Sequence, residues 1–420
     1  MATRRPPPPD TDTAAPRPRA AAARVQALAG VSPVVVVTGL RQVGKSTLLA
    51  TPPLSAGRRR IDFDQPAERA AFMADVDAVL RSGTPLTLDE VQREPGVMLA
   101  LKRAVDAMGT RRRRGQFLVS GSANLLLLRQ VADSLAGRAT YLTLRPLTRR
   151  ERLGLGSTGR WSALLATDPG DWPELLEDDA APAADWRDTV LHGGFPEVAL
   201  HLAPAARADW FDGYVATWLD RDLRDLAVIQ DLVDFRRVMQ SAASRIGQLA
   251  NQSAIASDVG RSQVAVRGWL AVLETAYFIA RIPAYVPSRA ARVAKTPKLF
   301  WGDAALGLHM AGQREPTGAH FENVVALDLL AWRDLAPGRP EILHWRSRSQ
   351  AEVDFVIEHE GAVLPIEVKT SRTVDARDVR GIEAFLATYP KRARAGVLLY
   401  DGAETRQFGR VVAVPWWRVL

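Results

Sequence analysis

Cysteine is absent from all 420 residues. That excludes a disulfide framework, a cysteine-ligated zinc site and a thiol nucleophile, and a reducing cytoplasm is the expected compartment. Lysine is scarce: Lys45, Lys102, Lys295, Lys298, Lys369 and Lys391 are the only ones in a chain with 55 Lys and Arg together. Where arginine is the default cation, a retained lysine can mark a position that needs a compact ammonium. Two of the six, Lys45 and Lys369, fall in motifs of catalytic form. No apolar run is long enough for a membrane span. The Arg4-Arg5 pair runs into four prolines with no apolar segment behind it, so no export signal and no membrane partner are expected.

Hydrophobic residues at 47% and charged residues at 24% are those of a globular protein with room for two or three domains. Net charge is +8, which favours an acidic partner such as nucleic acid, although the arginines are spread widely.

The stretch Val34–Leu49 reads VVVVTGLRQVGKSTLL. Four valines predict a short buried strand, and Gly39 to Ser46 completes G-x-x-x-x-G-K-S. A loop of this kind (Gly39, Leu40, Arg41, Gln42, Val43, Gly44) turns backbone N–H groups toward phosphates. The helix that follows, through Thr47, points its positive end at them. Lys45 would reach the β/γ-phosphates of ATP and Ser46 would ligate Mg²⁺. Pro85–Glu90 then gives a short apolar strand ending in two acids. Asp89 is expected to hold Mg²⁺ through water and Glu90 to polarise the attacking water; the bland alternative is an acidic loop after a strand. A further strand, Gln116–Val119, ends in SGSAN. Ser120, Ser122 and Asn124 are candidates to sense the γ-phosphate, or they are ordinary turn formers. Arg111–Arg114 is a solvated loop or a phosphate contact.

The segments TGLRQVGKSTLL, TLDEVQREP, FLVSGSANLLLL, DSLAGRATYLTLRPLTRRE and GGFPE resemble, in order, a family of prokaryotic AAA-type ATPases. Members carry a C-terminal domain of unknown function with winged-helix and PD-(D/E)xK nuclease-like parts. The resemblance implies an α/β fold with a parallel P-loop core and assembly into a homo-oligomer. It also makes Arg138, of LAGR, the candidate arginine finger. A structural pair with a nearby carboxylate is the other role open to Arg138. The chemistry of GGFPE cannot be read from its residues.

Residues 1–20, rich in Pro and Arg, are expected as a disordered tail. Residues 151–186 mix Gly, Pro and acids and suggest a loop or lid. Trp210–Gln230 predicts a helix. Helices over Val233–Leu249, Asn251–Val259 and Ser262–Leu273, followed by AYFIARI, resemble a winged helix. Arg261, Gln263 and Arg267 would then lie on or beside its recognition helix, although such domains also bind protein. From Gly318 the pattern changes. Asp354, then Glu367 and Lys369 two apart on one strand face, follow the PD-(D/E)xK order, with Glu322 as an accessory acid. Glu322, Asp354 and Glu367 would hold Mg²⁺ and Lys369 would orient water; a plain exposed Glu–Lys pair is the alternative.

The expected organisation is therefore a tail (1–20), an ATPase core (21–155), a lid and helical connector (156–230), a winged-helix-like part (231–300) and a nuclease-like α/β domain (301–420). The expected function is Mg²⁺-dependent ATP hydrolysis acting on nucleic acid, DNA rather than RNA, by remodelling or ATP-licensed cleavage. The alternative is a nucleotide-dependent switch whose C-terminal domain only binds.

Overall fold

The valine run is the central strand of the N-terminal sheet. In the computed structural model, which describes residues 16–109, 114–121, 135–177, 179–223, 229, 231–347 and 349–420, Val34–Thr38 (β1) is buried throughout. A strand apolar on both faces suits a parallel sheet covered on both sides. With β2 (Arg59–Asp62), β3 (Leu86–Asp89), β4 (Phe117–Ser120) and β5 (Ala139–Thr143) it forms an all-parallel sheet in the order β2-β3-β4-β1-β5. Parallel strands bring their C-terminal ends to one edge, so Thr38, Asp62, Asp89 and Ser120 emerge together.

Alternation along β1 divides the packing. Val34 and Val36 face a core confined to this domain, with Phe72, Leu101 and Phe117. Val35 and Val37 face a core that continues through Trp161, Phe195, Trp218 and Phe278 to Phe321 and Phe355. The N-terminal sheet is thereby joined by one apolar face to the rest of the chain.

The stretch 151–186, expected as a loop or lid, holds two short helices between irregular segments. Trp161–Ala166 and Trp172–Glu177 are short helices that bury Trp161 and Trp172. Tryptophan burial outweighs the Gly and Pro content, and Pro169 merely opens a tight turn capped by Asp168. The helix expected over 210–230 spans Arg207–Trp218 and passes into a π-helical turn, Leu219–Leu223. Three helices follow: Leu232–Ala243, Gln252–Val259 and Gln263–Thr275, each opened by a side-chain cap from Asp231, Asn251 or Ser262. The first stops six residues short of the expected Leu249. A two-stranded antiparallel ribbon, β6 (Ile279–Ile282) with β7 (Lys298–Trp301), comes next.

The C-terminal sheet is mixed, in the order β12-β13-β11-β10-β9-β8. It comprises β8 (Glu341–Arg346), β9 (Glu352–His359), β10 (Ala362–Lys369), β11 (Gly396–Tyr400), β12 (Arg406–Phe408) and β13 (Val411–Pro415). Helices Gly318–Leu335 and Arg380–Thr388 belong to different apolar clusters of this sheet. Trp416 is fully buried under the Arg149 guanidinium, and Arg149 donates to the Leu420 carbonyl at 2.7 Å. No helix among the described residues is long and apolar enough to cross a membrane.

The GGFPE segment is explained by close packing. Gly193 has φ 59° and ψ −156°, a backbone state open essentially to glycine alone. A Cβ on Gly194 would lie 2.5 Å from the Leu147 carbonyl oxygen, and the Gly194 N–H donates to buried Asp303 at 2.6 Å. Phe195 enters an aromatic cluster with Trp210, Phe211 and Tyr214, and Pro196 opens the helix Pro196–Leu200. Gly194→Ala is expected to cost about 1–3 kcal/mol, because the obstructing atom is backbone. Gly213→Ala, in a helix with nothing within 4 Å of the added carbon, should stabilise by about 0.5–1 kcal/mol. Thermal denaturation of the two variants should shift the melting temperature in opposite directions.

Candidate active site

The loop after β1 bends through two left-handed residues, Gln42 (φ 58°) and Gly44 (φ 90°), a path that turns successive N–H groups into one concavity. Gly39, at φ 142°, packs so closely that a Cβ would stand 2.1 Å from the Leu144 carbonyl oxygen. Lys45 is buried and its Nζ donates to the carbonyls of Leu40 at 2.7 Å and Gly39 at 3.3 Å, which folds the ammonium inside the loop. Leu40 and Val43 are buried, whereas Arg41 and Thr47 lie nearer the surface.

Asp89 is the junction of the sheet edge. Only 1% of it is exposed, and a buried carboxylate must be paired. Its Oδ1 accepts from Ser46 Oγ at 3.0 Å and from Ser120 Oγ, and its Oδ2 accepts from Arg60 Nη2 at 2.6 Å. The structure brings Ser46, Asp89 and Ser120 together with Arg60, a residue the sequence reading did not single out and whose only signal was a cation on the strand beside Asp89. Ser46 and Asp89 present hard oxygen donors within one hydrogen bond of each other, which fits Mg²⁺.

Glu90 follows in a left-handed conformation (φ 56°), and its carboxylate accepts from the Gln92 amide. Its pKa is raised above the ordinary glutamate value by burial, offset in part by the Lys45 ammonium and the Gln92 bond. A strained backbone and a raised carboxyl pKa beside a phosphate loop are features of a general base.

Arg138 sits elsewhere. It precedes β5, whose far end pairs Thr143 with Thr38, so it lies roughly 17 Å along the strand direction from the loop. There it forms a two-pronged pair with Asp106, Nε–Oδ1 2.6 Å and Nη2–Oδ2 3.0 Å. Ser122 and Asn124 fall outside the described residues, as do Arg111–Arg113.

Residues 16–20, assigned to the tail, pack on the loop instead. Arg19 donates to the Val43 carbonyl at 2.7 Å and the Arg145 carbonyl at 2.6 Å. Pro18, Thr47, Thr51, Pro196, Leu200 and His201 line a cleft alongside. From the middle of the chain Tyr214 OH donates to the Arg41 carbonyl at 3.4 Å, and Tyr277 OH meets Thr38 Oγ1 at 2.9 Å. Sequence reasoning missed these three, since an arginine in a Pro-rich stretch and tyrosines in helical patterns carry no mark of their destination.

The C-terminal acids do come together. Asp354 on β9 lies beside Glu367 on β10, and Asp354 Oδ2 accepts the Val368 N–H at 3.0 Å. Glu367 Oε1 pairs with Lys369 Nζ at 2.7 Å on the shared strand face. Glu322 approaches from helix Gly318–Leu335. The addition is Lys298, at the start of β7. Its Nζ lies 2.8 Å from Glu352 Oε1, 3.0 Å from Asp354 Oδ1 and 3.6 Å from Glu322 Oε2. Burial, and next the Asp354 carboxylate, raise the pKa values of Glu322 and Glu367. Burial opposes the Lys298 charge, but the surrounding carboxylates outweigh it and raise its pKa. Among the described residues no group of three or more His, Cys, Asp or Glu is placed to hold a metal ion, so the Mg²⁺ expected on Glu322, Asp354 and Glu367 does not fit.

Of the candidate nucleic-acid contacts, Arg261 is tied to Asp231 and Asp234. Gln263 and Arg267 are exposed on helix Gln263–Thr275.

Residues 31–153 match the model of an AAA domain, and with the parallel sheet and loop above they form an AAA-type P-loop ATPase domain. Residues 183–317 and 317–419 match two domains of unknown function, DUF8612 and DUF4143. The chain belongs to the family of the uncharacterized proteins Rv2008c of Mycobacterium tuberculosis and Mb2031c of Mycobacterium bovis. It is 30% identical to each over 411 residues, 95% of this chain and 83% of theirs. Among solved structures, a Walker-type ATPase of Pyrococcus abyssi aligns with a TM-score of 0.42 at 14% identity, over 70% of this chain and 98% of that one. RuvB of Thermotoga maritima (T158V) aligns with a TM-score of 0.28 at 16% identity, over 65% and 92%. The family assignment rests on the mycobacterial relatives.

Glu90→Gln should retain nucleotide binding and lower ATP turnover by ~10²–10⁴. With Glu90 as the expected base, the active form would be its carboxylate, whose pKa is raised by burial. Wild-type kcat should therefore fall as pH drops, with an inflection above the ~4.3 of an unperturbed glutamate. A steady-state pH profile checks both.

Proposed function

We propose that this protein is a Mg²⁺-dependent ATPase that couples hydrolysis to work on a nucleic acid. The observation that carries the reading is the Ser46–Asp89–Ser120 junction beside Lys45, with Glu90 next to it. Lys45 and the loop amides would hold the phosphates, and Ser46 and Asp89 would hold Mg²⁺, which when bound would supply positive charge beside the phosphoryl group. Glu90 takes the proton from the attacking water. The cleft lined by Pro18, Thr47, Pro196 and Leu200 takes the adenine. The +8 net charge supports an acidic partner, which Gln263 and Arg267 are exposed to meet.

Lys45→Ala should abolish turnover. Wild-type turnover, assayed against linear, forked and four-way DNAs and matching RNAs, should rise with at least one of them and lose that rise as salt increases. A rate that no nucleic acid alters rejects the nucleic-acid partner.

Tyr277 and Tyr214, both touching the loop from the middle of the chain, favour a second reading, a nucleotide-controlled switch acting on a protein partner. Insensitivity to nucleic acid, together with ATP-dependent capture of a protein, separates the two.

In this proposal the chain acts as a homo-oligomer in which Arg138 of one copy completes the site of the next, releasing Asp106. Arg138→Ala and Glu90→Gln should each be inactive alone. Mixed, they should regain part of the wild-type rate, because one kind of interface then has both residues. No recovery in verified mixed oligomers rejects the finger.

A further inference from the structure

We propose that Lys298 is a built-in cation standing where a divalent metal would bind among Glu322, Glu352, Asp354 and Glu367, so that this acidic centre is closed to Mg²⁺. A buried ammonium is already seated on the oxygens an ion would need. Asp354 carries the centre, and both of its oxygens are committed, Oδ1 to Lys298 Nζ at 3.0 Å and Oδ2 to the Val368 N–H at 3.0 Å. Glu352 Oε1 is also on Lys298, at 2.8 Å, and Glu367 Oε1 is on Lys369 at 2.7 Å. Magnesium requires several oxygens at ~2.0–2.1 Å in near-octahedral array. An ammonium already in contact with the same oxygens would have to share the space and repel the ion. Glu322 Oε2 and Glu367 Oε2 are buried without a hydrogen-bond partner, but Lys298 Nζ already stands 3.6 Å from Glu322 Oε2.

Lys298 is not free to withdraw. Its side chain is 4% exposed, and its strand is held on several sides. The Leu299 N–H donates to Gln248 at 2.9 Å, the Leu299 carbonyl accepts from Gly247 at 2.8 Å, and the Asn323 amide brackets Trp301 at 2.6 and 3.1 Å. Slipping β7 by one residue would turn Lys298 to the other face and break all of these. A lysine in an arginine-rich chain suits the place, since a point charge can sit among three carboxylates that a planar guanidinium would force apart.

The experiment uses full-length protein without nucleotide and Mn²⁺ alone as probe, with free ion counted by electron paramagnetic resonance. Wild type and Asp354→Asn should bind the same amount. Lys298→Met, uncharged and of similar length, should gain one Mn²⁺ per chain, and Lys298→Met/Asp354→Asn should lose it again. Binding by wild type that Asp354→Asn abolishes overturns the proposal, as does a folded Lys298→Met that gains nothing. If Lys298→Met does not fold, the first comparison still decides, as does Mg²⁺-dependent cleavage of DNA by wild type that Asp354→Asn abolishes. ATP turnover measured on the same preparations reports separately on the P-loop site.

Discussion

The buried carboxylate of Asp89 cannot stand without partners, and its partners come from two other strands and a helix. Ser46 arrives from the first turn of the helix Lys45–Ala50, Ser120 from the end of β4 and Arg60 from β2. Desolvating a carboxylate is costly enough that the three contacts act as a lock on the catalytic edge. The same lock can change hands. A divalent ion bound there, as proposed above, would supply positive charge to Asp89 in place of Arg60, and would rearrange an existing network rather than assemble one from solvated parts.

How much of this was legible follows from the range of each interaction. Strand–loop–helix around Val34–Leu49, the acids at Asp89 and Glu90, and the Asp354–Glu367–Lys369 order are local patterns with fixed periods, and their residues lie where those periods put them. The GGFPE segment is also local, yet unreadable. Its glycines answer to Leu147 and Asp303, far away in sequence. Arg19 was lost for the opposite reason: a Pro-rich composition says tail, while two long-range carbonyl bonds fix it on the loop. The two helices within residues 151–186 were not legible, because composition counts Gly and Pro but not the burial of Trp161 and Trp172. Lys298 had one mark, its rarity, and the scarcity argument applied to Lys45 and Lys369 extended to it equally.

The ribbon of β6 and β7 connects the two ends of the molecule. Tyr277, just before β6, has a positive φ of 64° and places its hydroxyl on Thr38. Gly302, just after β7, lies so close to Tyr277 that a Cβ would stand 2.1 Å from its carbonyl oxygen, and 3.2 Å from Leu40 of the loop. Lys298, at the other end of β7, is embedded in the acidic cluster, about 10 Å away by strand rise. A strained residue persists where its surroundings over-determine it, and here they include Gly302 and the ends of β1 and β5 at Thr38 and Thr143.

A short ribbon fixed at both ends cannot respond at one without loading the other. The Lys298 cluster, with Glu352 and Asp354 on one strand and Glu322 on a helix, is a charged anchor with little freedom. The loop end is held by two hydroxyl contacts, Thr38 at 2.9 Å and Thr143 at 3.4 Å, and hydroxyls re-pair at small cost. A change at the loop would therefore be taken up first at the Tyr277 end of the ribbon, while the Lys298 end would hold. On the proposal above, a cation built into the chain would suit that fixed end better than an exchangeable metal ion.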